Sequence, residues 1–425
     1  MFQEQPTHVS GLVLSPGQAA GHAMVGEFMG QDEDRYARIT GYAGTGKTTL
    51  IRELNDSYGN IQVLCPTGKA ALRVREATGL FASTIHRFLY DPREDPQNGR
   101  VRFEVKKEWD SVMTAMEGKL VLIDEASMVD RQVWADLVLV AKRVGFHVLV
   151  MGDLFQLPPV SKGDNEGFST LKLPMKFSVN LTEVHRQALG SPIIRASMML
   201  RSGAPEYEAM ETLEPLGQQE LIAEMVAARE RGGAAICFTN ARRHDLNARM
   251  REAFRLPPGT LKEGEPVLVT QNSYQLNCWN GEVLDFQGWQ MEPSEGTERS
   301  VVDRFTKAAM MMRFGIGRID GQGAVMSPEQ FTGESEAKHL NVNAIRRAAR
   351  SWYCDLKHED VPVPYLDCNY GYALTCHKAQ GSEWPEVIVV IEDKLTALRG
   401  IEKKRWLYTA ITRAKDSVRY CYVED

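Results

Sequence analysis

The sequence predicts an α/β protein with two tandem α/β domains, and the main evidence is the alternation of strands and helices. Short β-branched runs alternate with helix-like segments in the first third of the chain, at residues 36–40, 61–66, 120–124 and 147–152. A second set of strand-like runs follows at residues 179–184, 234–240, 372–375, 386–392 and 418–423. Such alternation indicates mostly parallel sheets covered by helices on both faces. The length of 425 residues agrees with two domains, because it exceeds what one ordinary core holds.

Two segments interrupt this alternation and predict insertions. Residues 90–106 contain Asp-Pro twice and an Asn-Gly pair before an alternating stretch at 101–105, which indicates a β-hairpin. Residues 258–368 are rich in turns and short strands, for example around Asn280 and Gly281, which indicates a small β-barrel. The predicted organisation is listed by residue range: first domain 1–176 with a hairpin at 89–107, second domain 177–257 and 369–425, and an insertion at 258–368.

Composition and charge argue against several classes of protein. No apolar run reaches the roughly 18 residues that a membrane span needs, and residues 1–10 lack a secretory signal, so a cytoplasmic protein without membrane partners is predicted. The seven cysteines are scattered without a Cys-x-x-Cys pair, which favours reduced thiols over disulfides or zinc. The net charge of −6 argues mildly against a protein that coats nucleic acid, but it allows a locally basic groove.

The segment from Gly41 to Thr48 fits the phosphate-binding pattern G-x-x-x-x-G-K-[ST] in full, and it lies between a predicted strand and a predicted helix. Its glycines let backbone N–H groups converge on phosphate oxygens at a helix N-terminus. Lys47 is expected to reach the β- and γ-phosphates, and Thr48 to bind Mg²⁺. ATP and Mg²⁺ are therefore the predicted cofactors. The predicted phosphate-binding residues are Gly41, Gly44, Thr45, Gly46, Lys47, Thr48 and Thr49.

Two acids follow the apolar run at residues 120–123 and predict the second half of this site. Open α/β sheets bind ligands at the carboxyl ends of their strands, and Asp124 and Glu125 lie at such an end. Asp124 is expected to hold Mg²⁺ through its water shell, and Glu125 to orient and activate the attacking water. An ordinary solvated strand end is the alternative, which the presence of Lys47 disfavours.

Two arginines of the predicted second domain are candidates for stabilising charge during hydrolysis. They are Arg186 and Arg413, and an arginine of this kind is typically worth about 10³–10⁵ in rate. The second domain has no phosphate loop, so one nucleotide held by the first domain and touched by these arginines would report domain closure. Taken singly, either arginine is more readily explained as a surface residue; the combination with the other motifs favours the functional interpretation.

Six further segments resemble the motifs of superfamily 1 DNA helicases, and they occur in order along the chain. The resemblance covers motifs Ia, Ib, III, IV, V and VI, at residues 66–71, 82–86, 152–159, 181–187, 372–383 and 407–415. Thr-Gly-Lys-Ala-Ala, Ser-Thr-Ile-His and His-Lys-Ala-Gln-Gly-Ser-Glu are typical of the RecD/Dda-like branch rather than the UvrD-like branch. The overall length and the short hairpin are similar in layout to the phage Dda helicase.

This resemblance implies two RecA-like P-loop NTPase domains, with an SH3-like barrel inserted in the second. It also implies that Gln156 contacts the γ-phosphate and that Gly381 and Glu383 bind nucleotide. Gln18 looks like the family's adenine-reading glutamine. Its spacing from Ser15, with a proline at the first helical position, also fits a capping box, and the two roles are compatible.

The resemblance further implies that single-stranded DNA crosses the tops of both domains, opposite the nucleotide cleft. Polar groups there would bind phosphates without recognising sequence, and aromatic rings would stack on bases. The candidate DNA contacts are Pro66, Thr67, Lys69, Ser83, Thr84, His86, Asn240, Thr375 and His377. For the two histidines, local hydrogen bonding within the protein is the competing interpretation.

The expected function is an inchworm motor that moves 5′ to 3′ and acts on single-stranded DNA and on junctions with duplex DNA. The hairpin would split the duplex, with Phe103 as a candidate wedge, although a strand phenylalanine more often packs in a core. A single-strand translocase with little unwinding, an RNA helicase and a slow P-loop switch or loader remain as alternatives.

The protein is expected to be a monomer in the cytoplasm (the host cytoplasm if phage-encoded), with replication or single-strand-binding proteins as candidate partners. Residues 290–360 resemble nothing that assigns them a role.

Overall fold

The computed structural model describes most of the chain, with gaps between the described ranges. These ranges are 8–9, 12–31, 33–59, 61–94, 101–106, 115–158, 168–184, 190–257, 259–273, 275–303, 308–331, 340, 342–359, 361–398 and 400–424. The backbone alone is described at 8–9, 12, 92–94 and 101–102. Within these ranges, the structure contains no helix with the length and apolar character that crossing a membrane requires.

The first domain is built on a six-stranded parallel sheet. An antiparallel pair, β1 (His8–Val9) and β2 (Leu12–Val13), precedes the sheet. The strands of the sheet are β3 (Tyr36–Gly41), β4 (Gln62–Cys65), β5 (Ala82–Thr84), β8 (Leu120–Ile123), β9 (His147–Gly152) and β10 (Phe177–Leu181). A second antiparallel pair, β6 (Tyr90–Glu94) and β7 (Val101–Val105), lies between β5 and β8 in the chain. The sheet order is β10-β3-β9-β8-β4-β5. Its helices are α1 (Pro16–Met29), α2 (Lys47–Tyr58), α3 (Gly68–Thr78), α4 (Ile85–Leu89) and α5 (Arg131–Val144), with 3₁₀ turns at Ala126–Met128 and Thr170–Lys172.

Both faces of this sheet are buried, which explains why its strands are continuous apolar runs. Successive residues of β4 show the arrangement. Val63 and Cys65 belong to one hydrophobic cluster, and Leu64 belongs to the cluster on the opposite face. The two clusters fix the sheet between its helices, so the loops at the carboxyl ends of the strands are held in place.

The predicted hairpin is present, because β6 and β7 pair antiparallel from Tyr90 opposite Val105 to Glu94 opposite Val101. Its predicted Asn-Gly turn lies outside the described residues. Phe103 is 42% exposed, yet its ring also lies 5.3 Å from the His86 ring and 6.1 Å from the Tyr90 ring. The hairpin is therefore anchored by aromatic contacts to the segment that follows β5.

The second domain is built on a five-stranded parallel sheet with the order β11-β22-β21-β12-β20. Its strands are β11 (Glu214–Pro215), β12 (Ala234–Cys237), β20 (Ala373–Thr375), β21 (Trp384–Glu392) and β22 (Ala414–Val423). Its helices are α6 (Pro192–Ser202), α7 (Glu206–Met210), α8 (Leu221–Glu230), α9 (Asn240–Ala253), α11 (Cys376–Ala379), α12 (Asp393–Thr396) and α13 (Ile401–Ile411). The prediction of an α/β protein with two parallel sheets is confirmed.

One predicted strand was assigned to the wrong domain. The strand expected at 179–184 was grouped with the second domain, but β10 pairs in parallel with β3, from Phe177 opposite Ala37 to Leu181 opposite Gly41. It therefore completes an edge of the first sheet. Strand periodicity specifies that a strand forms and not which sheet it joins, so the predicted start of the second domain at 177 is too early.

The insertion contains a five-stranded antiparallel sheet, a second strand pair and a long helix. Its elements are β13 (Pro266–Val269), β14 (Val283–Met291), β15 (Glu298–Val302), β16 (Ala309–Arg313), β17 (Gly315–Ile319), β18 (Gln322–Met326), β19 (Cys368–Tyr370), a 3₁₀ turn at Pro328–Gln330 and α10 (Val342–Lys357). The main sheet has the order β18-β17-β14-β13-β19. The amphipathic helix α10 packs with the β15–β16 pair around Met312, Phe314 and Trp352, which gives residues 290–360 a core of their own.

Candidate nucleotide site and nucleic-acid surface

The phosphate loop joins the end of β3 to the start of α2. Gly44 and Gly46 have φ angles of 79° and 72°, a left-handed conformation that glycine adopts without strain. A Cβ atom at Gly41 would lie 2.7 Å from Thr45 Oγ1, so this position also requires glycine. Lys47 Nζ donates to the carbonyl oxygens of Gly41 and Tyr42, both at 2.9 Å. The lysine thus lies across the loop, in reach of the region where the motif predicts phosphate.

Asp124 and Glu125 follow β8 and are both buried, with 2% and 3% of their surfaces exposed. The Asp124 N–H donates to the Leu64 carbonyl at 2.9 Å, which ties the acids to the neighbouring strand β4. Glu125 has a φ angle of 53°, a conformation that is uncommon for a residue with a side chain. The two acids are therefore held side by side at the carboxyl end of the sheet.

The two acids differ in their pKa shifts. Burial and the charge of Glu125 raise the pKa of Asp124, and Arg73 and Lys47 only partly oppose this. Burial would also raise the pKa of Glu125, but the charges of Arg73, Arg413 and Lys47 bring it below its ordinary value. The surrounding positive charges therefore favour the charged form of Glu125 more than that of Asp124.

The residues present fit Mg²⁺ and ATP. Glu125 Oε2 and Gln156 Oε1 are buried without a hydrogen-bond partner among the described residues, which suits a site that a bound ligand completes. Thr48 lies in the first turn of α2, immediately after Lys47. Carboxylate and hydroxyl oxygens are the ligands that Mg²⁺ takes at such sites.

Gln18 is placed beside the phosphate loop by the predicted capping box at the start of α1. The Gln18 side-chain oxygen accepts from the Ser15 N–H at 2.9 Å, and the Gln18 N–H donates to Ser15 Oγ at 3.3 Å. Its amide nitrogen donates to the Gly46 carbonyl at 3.0 Å. The capping interpretation is thus observed, and the side chain lies at the edge of the nucleotide site.

Of the two candidate arginines, the structure describes Arg413 and not Arg186, which lies outside the described residues. Arg413 is buried and donates to the carbonyl oxygens of Thr409 at 3.1 Å and Ser382 at 3.3 Å. Its charge lowers the pKa of Glu125, so it is close to the acids of the first domain. It is not an ordinary surface residue.

Direct hydrogen bonds join the two domains around this site. The Tyr408 hydroxyl donates to Asp153 and accepts from the Ala43 N–H at 3.2 Å. The Leu157 N–H donates to Thr409 Oγ1 at 3.1 Å, and the Gln380 amide donates to the Leu157 carbonyl at 2.9 Å. Motifs V and VI of the second domain therefore contact the phosphate loop and motif III of the first. The sequence analysis did not identify Tyr408, which occupies an unremarkable helical position within motif VI.

Arg73 is a second residue that the sequence analysis missed. One of its terminal nitrogens lies 3.6 Å from Asp124 Oδ2 and 3.2 Å from Glu125 Oε1, and the other lies 2.9 Å from Glu383 Oε1. Glu383 was expected to bind nucleotide; here its carboxylate pairs with Arg73 beside the two acids. The only sequence signal for Arg73 is its position one helical turn after Lys69.

The candidate DNA contacts gather at the carboxyl ends of parallel strands. Pro66 and Thr67 follow β4, Ser83 and Thr84 end β5, Asn240 follows β12, and Thr375 ends β20 with His377 just beyond. The hydroxyls of Thr67 and Thr84 accept from the N–H groups of Ala70 at 3.2 Å and Arg87 at 3.1 Å, so both cap helices. Local hydrogen bonding therefore accounts for part of their chemistry.

A cleft between the hairpin and the insertion extends this surface. The residues that line it are His86, Arg87, Tyr90, Asp91, Phe103, Lys106, Asn277 and Trp279. The Trp279 ring packs so closely on Gly68 of α3 that a Cβ at this position would overlap it. The insertion thus reaches motif Ia of the first domain, a contact for which the sequence offers no signal.

Comparison with known proteins supports a helicase architecture. Residues 14–225 match an AAA domain family, and residues 370–420 match the UvrD-like helicase C-terminal domain family. The ATP-dependent RecD2 DNA helicase of Deinococcus radiodurans is 30% identical over 90% of this chain and 46% of its own length. The RecBCD enzyme subunit RecD of Mycolicibacterium smegmatis is 24% identical over 90% of this chain and 67% of its own length. The chain thus spans less than half of the RecD2 protein.

Solved structures share the fold across almost the whole chain. The Pif1 helicase from Bacteroides, in complex with ADP-AlF3 and single-stranded DNA, matches with a TM-score of 0.55 and 17% identity, over 96% of this chain and 92% of the other. The Pif1 helicase from Candida albicans matches with a TM-score of 0.51 and 17% identity, over 96% and 94%. Fold and site together define a P-loop nucleotide-binding protein with two α/β domains. The chain is thus similar in sequence to RecD-type helicases and in fold to Pif1 helicases.

Proposed function

We propose that this chain is an ATP-dependent DNA helicase that moves along single-stranded DNA from 5′ to 3′ and unwinds duplex DNA. One observation carries the proposal: the phosphate loop and Asp153 of the first domain are both hydrogen-bonded to Tyr408 of the second domain. Because the two domains meet at the nucleotide site, a change in the nucleotide changes the domain contact. That coupling is what a motor requires.

The proposed chemistry uses the phosphate loop, the two acids after β8, motif III and two arginines. Bound Mg²⁺ would neutralise charge on the phosphoryl oxygens, held by Thr48 and Asp124. Lys47 would bind the β- and γ-phosphates, Glu125 would orient the attacking water, and Gln156 would contact the γ-phosphate. Arg413, joined by Arg186, would stabilise charge on the transferred phosphoryl group when the domains close. The remaining nucleotide-binding positions proposed are Gln18, Gly41, Gly44, Thr45, Gly46, Thr49, Gly381 and Glu383.

The DNA path is proposed to cross the carboxyl ends of both sheets. Closure would then shift one domain along the strand, and reopening after hydrolysis would complete an inchworm step. Backbone N–H groups, hydroxyls and Lys69 there suit phosphates, which position a strand without recognising its sequence. The proposed contacts are Pro66, Thr67, Lys69, Ser83, Thr84, His86, Asn240, Thr375 and His377.

The finer layout is also proposed on the model of the RecD/Dda-like branch. The antiparallel sheet β18-β17-β14-β13-β19 supports an SH3-like barrel in the insertion, and the β6–β7 pair supports a hairpin that splits duplex DNA. A monomer suffices, because one chain supplies both sides of the nucleotide cleft. Action on single strands and junctions during replication or recombination in the cytoplasm, with single-strand-binding proteins as partners, completes the proposal.

The test is the ATP hydrolysis rate without nucleic acid, with a single-stranded DNA, and with RNA of the same sequence. We expect DNA to raise the rate by roughly tenfold or more and RNA to raise it much less. Lys47→Ala should remove the activity while thermal unfolding stays close to wild type, because the hydrogen bonds that Lys47 makes to described residues go to carbonyls of the loop. Stronger stimulation by RNA would favour an RNA helicase, and no stimulation by either would overturn the motor assignment in favour of a P-loop switch.

A further inference from the structure

We propose that Arg73 is a positioning residue that holds the two acids of the nucleotide site and links them to the second domain through Glu383. The inference deepens the proposed function and rests on it for the identity of the ligand. In this role, the positive charge of Arg73 compensates Asp124 until Mg²⁺ binds there. Arg73 also links the bound nucleotide to movement of the second domain.

The geometry divides the guanidinium group between the domains. One terminal nitrogen pairs with the acids of the first domain, at 3.2 Å from Glu125 and 3.6 Å from Asp124. The other terminal nitrogen pairs with Glu383 at 2.9 Å. The side chains of Asp124 and Glu125 are only 3% and 4% exposed, whereas that of Glu383 is 35% exposed. The pairs with the first domain are therefore the desolvated ones, where charge matters most.

Charge balance indicates what Arg73 does there. Two adjacent buried carboxylates are costly without compensating positive charge. The guanidinium group of arginine stays protonated in proteins, so the positive charge of Arg73 is permanent. Lys47 and Arg413 add further positive charge near these acids, and what distinguishes Arg73 is that it pairs directly with both of them. The long 3.6 Å contact with Asp124 is the one that a cation would replace most readily.

The same side chain lies where the second domain rests on α3. A Cβ at Gly381 of motif V would lie 3.2 Å from both the Ala70 Cβ and Thr67 Oγ1. Motif V therefore contacts the first turn of α3 at Gly381 and its middle at Glu383. Because the first turn of α3 also carries the proposed DNA contacts, Arg73 connects the nucleotide acids, motif V and the DNA surface through one helix.

The first experiment measures binding of a fluorescent ADP analogue as Mg²⁺ is titrated, in Arg73→Gln and in a matched Arg75→Gln control. Arg75 lies on the same helix, but its Nε donates to the Ala82 carbonyl at 2.7 Å and its guanidinium lies over the Phe81 ring. Loss of the competing charge should lower the half-saturating Mg²⁺ concentration of Arg73→Gln by about threefold or more. The control should match wild type.

The direction of this shift separates the proposal from a purely structural role. A disordered site would need more Mg²⁺, not less. An unchanged or increased Mg²⁺ requirement in a folded Arg73→Gln variant would overturn the counter-charge assignment. The measurement needs neither hydrolysis nor unwinding, so it remains decisive if the helicase function fails.

The second experiment measures how much single-stranded DNA changes the affinity for the same ADP analogue. Glu383→Gln breaks the link to the second domain and leaves Arg73 on the acids, so it remains informative if Arg73→Gln does not fold. We expect the factor by which DNA changes affinity to fall about threefold or more in each single variant, with no further loss in the double variant. The link would be contradicted if the losses in the two single variants multiplied in the double variant. It would also be contradicted if DNA changed the ADP-analogue affinity of Glu383→Gln as much as that of wild type.

Discussion

At the scale of single residues, some side chains of the nucleotide site have hydrogen-bond partners among the described residues and others do not. Lys47 and Arg413 both donate to backbone carbonyls, whereas Glu125 Oε2 and Gln156 Oε1 have no partner among the described residues. Unsatisfied buried acceptors are costly, so their presence together at the phosphate loop indicates a site built for a ligand.

Replacing Arg413 with lysine tests its assigned role. A lysine keeps the positive charge but cannot reproduce the forked contacts with Thr409 and Ser382. We expect nucleotide binding close to wild type and a DNA-stimulated kcat lower by about 10²-fold or more. Nucleotide affinity and single-turnover hydrolysis are the measurements. Loss of binding together with a lower unfolding temperature would show a structural arginine instead.

The pH dependence of DNA binding tests the lysines of the proposed DNA surface. Burial lowers the pKa of Lys69 to about 8. Lys378 follows the proposed contact His377, and burial and the charge of Arg243 lower its pKa to about 8. Both are mostly charged at pH 7 and mostly neutral at pH 9, so phosphate contacts weaken as pH rises. We expect the Kd for a single-stranded oligonucleotide to rise roughly threefold to tenfold over this range at constant salt. Lys69→Met should show a smaller rise, and a flat wild-type profile would remove these lysines from the DNA path.

At the scale of elements, the β6–β7 hairpin and the insertion are the parts that lie outside the two parallel sheets. The hairpin contacts the segment after β5 through His86 and Tyr90, and the insertion reaches α3 through Trp279. Both insertions therefore border the cleft next to the proposed DNA contacts.

Changing the exposed ring of the hairpin should separate unwinding from ATP hydrolysis. In Phe103→Ala we expect DNA-stimulated hydrolysis within about twofold of wild type, because the phosphate loop is untouched, and unwinding lower by about threefold or more. Phe81→Ala is the matched control, since Phe81 is 65% exposed and lies under Arg75. Deleting residues 92–100 should have the same effect. Equal unwinding by wild type and both hairpin variants would end the assignment of the hairpin as the separating element.

The sequence predicts those parts of the candidate site that consist of contiguous residues. The phosphate loop and the two acids after β8 need a fixed local order, so their positions could be predicted. Arg73 could not, because its role depends on Asp124 and Glu383, which only tertiary packing brings to it. The misassigned strand β10 has the same cause, since its partner β3 is distant in sequence. The local sequence pattern specifies which elements and motifs form. Contacts between residues distant in the sequence specify which elements lie next to each other.

At the scale of the whole molecule, the central claim is that two domains share one nucleotide and convert its turnover into movement on DNA. Leu157 and Gln380 hydrogen-bond across the domain boundary, and Tyr408 adds a second contact at the phosphate loop. In the proposed mechanism, opening and closing of this boundary follow the nucleotide. The similarity in fold to Pif1 structures extends over 96% of the chain, so it includes both domains.

The measurement that tests this claim most directly is ATP-driven unwinding of two matched partial duplexes, one with a 5′ single-stranded tail and one with a 3′ tail. Wild type should unwind the 5′-tailed duplex, and Lys47→Ala should unwind neither. Unwinding of the 3′-tailed duplex alone would reverse the proposed direction and the branch assignment. Failure to unwind either duplex, with DNA-stimulated hydrolysis intact, would contradict the helicase claim and leave a translocase.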